Sequence, residues 1–443
     1  MIQISHKIAL QPNNRQKTYF RKAFGCARLA YNWALAEWKR IYEEGGRPNK
    51  YEIKKKFNAL KKEQFPFVYE VTKYATQQPI MDLGKAFDKF FRDLKKGVVS
   101  YPKFKKKKDN EGSFYIGGDQ IKLSKTNKNK GRFFKKLVHN ENAKCEYLSV
   151  PNLGWVKMSE ALRFSGKVSG VVISQHGDRF FASFSVSVTE EEYQRTHRGY
   201  GGKKNKAVGI DLGIKTALVL SDGIGIDNPK PLKQNLRKVK KLSKQLSKRV
   251  HPKTKEERLR GVKKSNNYMK LSRRLSNVQR HIGNIRRDFT NKVTSIITDN
   301  YSSIVLEDLN VKGMTKNHHL AQAVLDVGFF EFRRELEYKS AYKHGKVMLA
   351  DRFYPSSKTC SSCGYIKKDL TLNDRVYFCP ACGLEIDRDY NAALNLRQLS
   401  NDKIGAGRPE LTSVDMAALL SCFERNGIAT SMVEAEIQQK LRN

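Results

Sequence analysis

The sequence predicts a multidomain α/β protein in which a β-rich N-terminal module precedes a mixed sheet covered by helices. Two observations support this fold class. The first half carries short strand-like runs separated by glycine and proline, whereas the second half alternates buried strand-like runs with amphipathic helices. Strands that alternate with helices favour a layered sheet. Two Cys-x-x-Cys pairs interrupt the end of this alternation and indicate a small metal-binding insertion.

The charge balance indicates a polyanionic partner. The chain has 443 residues, enough for roughly two to four domains. Its 85 lysines and arginines outnumber 44 acidic residues, which gives a net charge of +41. Basic runs such as 103–108 and 237–274 could each be solvated helix faces, but such runs recur along most of the chain. This distribution favours nucleic acid, whose phosphate backbone supplies the opposing charge.

Cysteine usage and hydropathy predict a cytoplasmic, nucleoid-associated protein without a membrane partner. Four of the seven cysteines form the two pairs, and the other three are scattered, which is typical of a reducing compartment. The N-terminus lacks the apolar segment of a signal peptide. No stretch reaches the roughly 20 apolar residues that a membrane span requires.

Hydrophobic periodicity predicts a strand, two helices and a small barrel in the first half of the chain. Residues 2–10 alternate apolar and polar side chains, while residues 20–38 repeat apolar side chains at helical spacing. A second helix is expected at 80–91, before a basic loop at 95–108. Further strands, which we expect the first strand to join in a barrel, are predicted at 147–150, 153–156, 168–174 and 180–188.

The second half of the chain is predicted to start after a glycine- and lysine-rich linker at 196–206. Residues 207–220 read as two buried strands joined by a tight turn. The later elements are expected to be two basic helices at 232–246 and 271–296, a strand at 303–309, a helix at 329–342 and a strand at 346–350. The last segment, 401–443, has only a weak helical pattern, so we expect a loosely held, disordered tail.

The two cysteine pairs predict a structural zinc site. Cys360 and Cys363 are followed after a short loop by Cys379 and Cys382. Two such pairs can surround one zinc ion tetrahedrally, a closed ligand set that stabilises structure and leaves no position for catalysis. An acidic segment that opens a helix follows at 387–395. We therefore expect the zinc insertion to brace a carboxylate in a larger site.

Three acidic residues lie where buried elements are predicted to reach the surface. Asp211 falls within a strand, Glu307 at the end of a later strand, and Asp389 at the start of a helix. A carboxylate in an apolar run such as that around Asp211 is costly unless it is paired or bound to a cation. Three carboxylates from separate elements can hold two Mg²⁺ ions, one to activate water and one to stabilise the leaving oxygen of a phosphodiester. We therefore predict a catalytic site formed by these acids.

Each acid also has a purely structural interpretation. Asp389 could cap its helix, and Glu307 could pair with an arginine, whereas Asp211 is the hardest to explain in this way. The neighbours Asp308 and Asp387 are the alternative candidates. Since side chains alternate along a strand, only one of Glu307 and Asp308 can face the site. The order of the acids and the adjacent cysteine pairs favour a shared site.

Several motifs together carry a family resemblance. They are Gly209-Ile-Asp211-Leu-Gly, Leu306-Glu307-Asp-Leu, Phe353-Tyr-Pro-Ser-Ser-Lys-Thr-Cys360, the two cysteine pairs, Asp387-Arg-Asp389-Tyr-Asn-Ala-Ala-Leu-Asn395, Gly25-Cys-Ala-Arg-Leu-Ala-Tyr-Asn-Trp33 and Ser100-Tyr-Pro-Lys-Phe-Lys-Lys106. With these motifs the chain resembles, over about residues 1–400, the TnpB proteins of bacterial insertion sequences, relatives of the type V CRISPR nucleases. The motifs are specific in combination, although paired cysteines alone occur in many zinc ribbons.

The resemblance implies an RNase H-like RuvC nuclease domain with an inserted zinc ribbon, preceded by a wedge β-barrel that carries a helical recognition insert. The implied boundaries are 1–18 and 113–200 for the wedge barrel, 19–112 for the helical insert, 201–355 and 384–400 for the nuclease domain, 356–383 for the zinc ribbon and 401–443 for the tail. By position, Asp211, Glu307 and Asp389 match the metal-binding acids of the family. This match implies two catalytic Mg²⁺ ions beside one structural Zn²⁺.

The resemblance also implies an RNA-guided DNA endonuclease of a mobile element. One chain would bind one guide RNA and cut both strands of double-stranded DNA beside a short flanking motif, while base pairing reads the target. Lys73 and Gln77 match the stretch that contacts this motif in the family, although either could lie on a solvated helix face. The alternatives are a guide-dependent DNA-binding regulator without cleavage, a compact type V CRISPR effector nuclease, and a transposase that joins DNA strands.

Overall fold

The structure, a computed structural model, contains two compact units, Met1–Thr196 and His197–Asn443. It describes residues 1–107, 112–124, 145–196, 206–252, 254, 256–257, 260–371, 374–404 and 413–433. The predicted linker lies outside these residues except for its two end positions. Among the helices that are described, none has the length and apolar character needed to cross a membrane.

The described part of the first unit contains two antiparallel sheets. Its strands are β1 (Ile2–Leu10), β2 (Gly112–Gly117), β3 (Lys122–Ser124), β4 (Tyr147–Val150), β5 (Gly154–Lys157), β6 (Lys167–His176) and β7 (Arg179–Val188). One sheet has the order β1-β7-β6-β2 and the other β3-β4-β5. The Ser159 amide donates a hydrogen bond to the Ala9 carbonyl at 2.8 Å, which joins the second sheet to the end of β1. The prediction that the first strand joins this module is therefore confirmed.

Helices α1 (Asn14–Glu43), α2 (Lys50–Gln64) and α3 (Tyr74–Leu94) follow β1, and α4 (Glu190–Thr196) ends the first unit. Helix α1 begins earlier than its apolar pattern predicts because Asn13 and Gln16 form a capping box. Helix α2 was not predicted, since Ile53 and Phe57 are its only buried residues and give no clear periodicity. These helices share a core in which the Trp38 and Phe87 rings stack with centroids 4.2 Å apart.

The second unit is built on a six-stranded mixed sheet. Its strands are β8 (Ala207–Leu212), β9 (Thr216–Leu220), β10 (Ile224–Asp227), β11 (Ser303–Glu307), β12 (Lys346–Ala350) and β15 (Thr430–Met432), and a separate hairpin consists of β13 (Val376–Phe378) and β14 (Glu385–Asp387). The order is β12-β11-β8-β9-β10-β15. Strands β12, β11 and β8 run parallel, whereas each later neighbour pairs antiparallel. The predicted α/β class with a mixed sheet is confirmed.

Helices cover both faces of this sheet. They are α5 (Pro231–Ser247), α6 (Asn266–Asn300), α7 (Val311–Met314), α8 (His318–Val327), α9 (Phe329–Tyr342), α10 (Arg388–Ile404) and α11 (Ser413–Arg425). On one face, Ile297 of α6, Leu336 of α9 and Phe423 of α11 form a core with Ile210. On the other face, α10 lies against β8, and Ala393 packs near Val219. Helices α5 and α6 pack against each other, as a helical hairpin would.

The prediction of a loosely held tail was wrong for residues 413–433. Helix α11 buries Leu419 and Phe423 in the main core, and β15 adds the last strand to the sheet, with Ser431 opposite Gly225. The hydrophobic periodicity of this segment is weak because α11 buries few residues in the main core and β15 is only three residues long. Both are stabilised by tertiary contacts with residues some 200 positions earlier, which local patterns do not report.

Candidate active site and zinc-binding site

Two of the predicted acids lie at the ends of adjacent parallel strands. Leu306 of β11 pairs with Ile210 of β8. Continuing this register by one residue sets Glu307 beside Asp211, at the same edge of the sheet. Because Ile210 and Leu306 belong to the core on one face, the alternation of a strand turns the two acids towards the opposite face.

The third acid, Asp389, lies in the first turn of α10. The carboxylate that caps this helix belongs to Asp387, which accepts hydrogen bonds from the amides of Asp389 and Tyr390, both at 2.9 Å. The capping role therefore falls to Asp387, and burial raises its pKa. The Asp389 side chain is left to face the cavity that Asp211 and Glu307 also line.

A glycine in β8 allows α10 to approach so closely. A Cβ atom on Gly209 would lie 2.0 Å from the Ala393 carbonyl oxygen and 2.5 Å from the Arg397 amide nitrogen. Both contacts are with backbone that cannot move aside without shifting the helix. The absence of a side chain at Gly209 thus brings the helix that carries Asp389 to the strand that carries Asp211.

The three acids line one cavity of about 980 Å³. Its wall also carries a set of cationic side chains, namely Lys215, Lys230, Lys233, Lys358, Arg375 and Arg388. Carboxylates and cations on the wall of one cavity suit a phosphodiester substrate, because the cations could bind the phosphates and the acids could hold a metal ion that acts as a Lewis acid.

The Asp211 carboxyl group is the least compensated of the three. Burial raises its pKa well above the usual value, and the charges of Glu307 and Asp389 raise it further. Glu307 accepts a hydrogen bond from the Ser356 hydroxyl, and Asp389 accepts one from Arg388 Nη2 at 2.8 Å. Within the described ranges, no group donates a hydrogen bond to Asp211. A crowded carboxylate without a donor is the environment that a divalent cation would relieve.

The three acids do not form as tight a cluster of ligand atoms as the cysteines do. Among the described residues, only the four cysteines bring three or more candidate ligand atoms within 4.8 Å of one another. Arg388 and Arg375 both engage Asp389, the latter at 3.6 Å.

The neighbouring candidate Asp308 points elsewhere. Its carboxylate accepts hydrogen bonds from Arg333 Nη1 at 2.9 Å and Arg352 Nη2 at 2.5 Å. It does not line the cavity of the other three acids. Of the pair Glu307 and Asp308, the structure therefore brings Glu307 to Asp211.

The four cysteines converge as their spacing predicts. The Sγ atoms of Cys360 and Cys382 lie 3.6 Å apart, and those of Cys363 and Cys379 lie 3.5 Å apart. Thiolates placed tetrahedrally about 2.3 Å from one zinc ion would lie roughly 3.8 Å from each other. The donor type and spacing therefore fit a structural zinc ion, and no open ligand position is left for catalysis.

Buried amide side chains on α10 tie the zinc-binding segment to the acids. Asn391 accepts a hydrogen bond from the Ser361 amide at 3.0 Å and donates one to the Thr359 carbonyl at 2.7 Å. Asn395 donates to the carbonyls of Ser356 and Thr359, both at 2.7 Å. Since Ser356 in turn donates to Glu307, the helix of Asp389, the first cysteine pair and Glu307 share one network.

Asn395→Ala is expected to lower the stability of the second unit by roughly 1–3 kcal/mol. Asn395 is fully buried, and its loss leaves the Ser356 carbonyl without this donor and removes one of the two amide bonds to the Thr359 carbonyl. Urea unfolding followed by hydrogen exchange at 356–361 checks this. Gln398→Ala, which removes a single bond to the Ser361 carbonyl at 2.9 Å, is the milder control. Equal effects of the two substitutions would contradict the assignment.

The predicted contacts with a flanking motif lie in the first unit. Lys73 is exposed at the N-terminus of α3, and its Nζ lies 3.0 Å from an Asp119 carboxylate oxygen. Tyr74 donates to the same carboxylate at 2.6 Å. Gln77 is half-buried one turn later. The role of both residues stays a prediction.

Sequence reasoning missed Ser356 and Arg388 as partners of the acids, and gave no role to Asn391 and Asn395. A signal was present for the two asparagines. They are four residues apart in a helix and so lie on one face, and asparagine in a helix interior is favoured only where its side chain has a partner.

Three family descriptions match parts of the chain. They are a “Helix-turn-helix domain” at residues 1–47 and a “Probable transposase” at 184–318, both of the OrfB type, and a “Cas12f1-like, TNB domain” at 329–396. The last match contains all four cysteines and Asp389.

Curated relatives match both units. A “Putative RNA-guided DNA endonuclease” of Streptomyces pristinaespiralis is 30% identical over 400 residues, which are 88% of this chain and 87% of the relative. “Putative RNA-guided DNA endonuclease InsQ” of Escherichia coli K12 is 28% identical over 421 residues, 90% of this chain and 93% of the relative. “TnpB-like protein L79” of Acanthamoeba polyphaga mimivirus is 32% identical over 133 residues, 29% of this chain and 25% of the relative.

Proposed function

Because this chain belongs to the TnpB family of RNA-guided DNA endonucleases, to one of which it is 30% identical over most of both chains, we propose that it is an RNA-guided endonuclease of a mobile element. One observation carries the proposal. Asp211, Glu307 and Asp389 come from three separate elements and line one cation-rimmed cavity, in which Asp211 has no hydrogen-bond donor among the described residues. A regulator that only binds DNA has no need of this costly arrangement.

We assign the six-stranded sheet and its helices to an RNase H-like RuvC domain, residues 356–383 to a zinc ribbon, and the two N-terminal sheets with α1 to α3 to a wedge module with a helical insert. Support for the first assignment comes from the acids at the ends of β8 and β11 and at the start of α10. Support for the second comes from the four cysteines, which fit one structural zinc ion.

In this proposal Asp211, Glu307 and Asp389 hold two Mg²⁺ ions. When bound, such ions activate water and stabilise the leaving oxygen of a phosphodiester. Ser356 keeps Glu307 oriented by donating a hydrogen bond to it, and Arg388 does the same for Asp389. Lys215 and Lys358 lie on the cavity wall, where they can neutralise the phosphates on either side of the scissile bond.

The partners of this proposal are one guide RNA per chain and double-stranded target DNA. The net charge of +41 supports binding of two polyanions at once. Lys73 and Gln77 are proposed to contact the flanking motif. An ion pair with Asp119 would hold the Lys73 ammonium in place until a phosphate or base edge replaces the carboxylate.

The test begins with the protein purified together with the RNA that accompanies it from its native locus. That RNA is sequenced, and a plasmid library carrying its matching target beside randomised flanks is incubated with Mg²⁺ or with Ca²⁺ in its place. A chelator is avoided because it would also remove zinc. We expect cutting with Mg²⁺ only, at the matching target only, beside one enriched flank.

Glu307→Gln should remove this cutting and keep target retention, while Asp369→Asn, which alters an exposed acid of the same unit, should change neither. Retention of the target without cutting by the native protein would instead identify a DNA-binding regulator. Joined strands in place of free ends would identify a transposase.

A further inference from the structure

A second, smaller pocket adjoins the cavity of the three acids. Its volume is about 250 Å³, close to that of one nucleotide, and Leu212, Glu307 and Phe329 belong to the walls of both. Glu307 therefore stands between the two spaces. A strand whose phosphodiester lay over the acids would extend one end directly into the smaller pocket.

Two arginines on the pocket wall are held in place by one carboxylate. Asp308 accepts hydrogen bonds from Arg333 Nη1 and from Arg352 Nη2, and its carbonyl accepts one from Arg352 Nε at 3.3 Å. Arg333 Nε donates to Glu337 at 2.8 Å. In the described part of the chain, Arg333 Nη2 and Arg352 Nη1 have no acceptor. Two preoriented guanidinium groups with spare donors suit a phosphate.

An aromatic ring completes the wall. Phe330 lines this pocket and is 65% exposed, although its helical neighbours Phe329 and Phe332 are almost fully buried. A lone exposed phenylalanine often needs no explanation. An exposed ring that shares a nucleotide-sized pocket with two oriented arginines has the composition of a stacking site for an unpaired base.

We propose that this pocket binds one unpaired nucleotide of the DNA strand next to the phosphodiester being cut. The base stacks on Phe330, and the phosphate accepts hydrogen bonds from Arg333 and Arg352. This assignment rests on the proposed function, because it names the form in which the substrate reaches Glu307. A base inside a duplex has both faces covered, so the pocket selects locally unwound DNA.

Binding is tested by placing 2-aminopurine at successive positions around the cut site in a target whose duplex is opened by mismatches. The complete protein–guide complex is used, with Ca²⁺ to prevent cutting. Stacking quenches 2-aminopurine, so we expect fluorescence to fall at one or two adjacent positions. Phe330→Ala should restore the signal there, and Phe330→Trp should keep it quenched.

Single-turnover cutting of the same opened target is the second readout. Phe330→Ala and Arg352→Gln should each slow cutting about tenfold, and Phe330→Trp should restore most of the rate. Arg334→Gln is the matched control, since Arg334 is the helical neighbour of Arg333, pairs with Glu331 and lies outside the pocket. Thermal melting of all variants should be unchanged, because the altered side chains are exposed or half-exposed.

The assignment fails if the native protein cuts and Phe330→Ala cuts equally fast with the quenched position unchanged. It also fails if Arg334→Gln slows cutting as much as Arg352→Gln does. If the native protein does not cut at all, the proposed function is wrong, and the position-specific quenching by itself decides whether the pocket holds a base.

Discussion

Replacing Asp211 by asparagine is expected to reduce DNA cutting by at least about a thousandfold and, at the same time, to stabilise the metal-free protein. The loss of cutting follows from removing one of the three carboxylates that we propose to hold the metal ions, an electrostatic contribution worth several kcal/mol of transition-state stabilisation. The gain in stability follows because asparagine has nearly the same shape and no charge, so the repulsion from Glu307 and Asp389 disappears.

The stability gain should depend on pH in a defined direction. Burial and the two neighbouring carboxylates raise the pKa of Asp211 in the folded protein, so the folded state keeps a proton that the unfolded chain releases near pH 3.9. Stability is therefore lost as the pH rises from that value through the raised folded pKa. The asparagine variant has no proton to lose. The Tm of the asparagine variant should exceed that of the native protein by little at low pH. This difference should grow as the pH rises from about 3.9 to the raised pKa of folded Asp211, and should then level off.

Thermal melting without Mg²⁺ at a series of pH values measures the effect, and a gain of about 1 kcal/mol corresponds to roughly 2–4 °C for a unit of this size. Asp369→Asn serves again as the exposed control. Added Mg²⁺ should stabilise the native protein more than the variant, because it binds only where the carboxylates are complete. A lower Tm for Asp211→Asn at neutral pH would show that Asp211 is not under repulsion.

Phe423→Ala is expected to destabilise the second unit by about 3–5 kcal/mol. Phe423 is fully buried in the main core of the six-stranded sheet, although it lies in the segment that local patterns assign to a tail. Loss of this anchor should also loosen β15, because Ile428, on the turn between α11 and β15, packs in the same core. Glu424→Ala, at the exposed neighbouring position, should change stability by less than about 0.5 kcal/mol.

The measurement must report the second unit separately. All three tryptophans, Trp33, Trp38 and Trp155, lie in the first unit, so their fluorescence should not respond to Phe423→Ala. Hydrogen exchange of the β10 amides should respond, because the Asp227 amide donates to the Ala429 carbonyl at 3.0 Å. Unchanged exchange across 224–227 would mean that the C-terminal segment contributes nothing to the sheet.

The parts of the fold that the sequence predicted are those whose signal is local. Helix α9 and strands β4 and β12 begin and end at the predicted residues, because their apolar spacing and flanking polar residues are unambiguous. Strands β2, β3 and β15 were missed, since β2 begins and ends with glycine, β3 and β15 have three residues each, and all three are fixed by their partner strands. Likewise, the isolated β-bridge between Leu10 and Met158, which joins the two sheets of the first unit, has no recognisable sequence pattern.

In the candidate site, too, local sequence signals were predictive and tertiary contacts were not foreseen. The identities of the acids and cysteines are visible in the sequence, because a carboxylate in an apolar strand and paired cysteines are rare without a cation. What brings the acids together is not visible. The parallel register of β8 and β11 and the backbone contact at Gly209 are tertiary facts, and so is the choice of Glu307 over Asp308, which the arginines on α9 and after β12 decide.

The pairing of β10 with β15 also has a consequence for how a ribosome makes this protein. Ile226 pairs with Thr430, so about 200 residues are synthesised between the two strands. At roughly 5–20 residues per second this interval takes about 10–40 s. During that time the nascent chain exposes the unpaired edge of β10. Tyr390, which follows Asp389, is made within this interval and lacks its neighbour Val433 until the C-terminal segment has been added. The six-stranded sheet is therefore completed long after its first strands have been made, and a chaperone can cover the open edge of β10 during this interval.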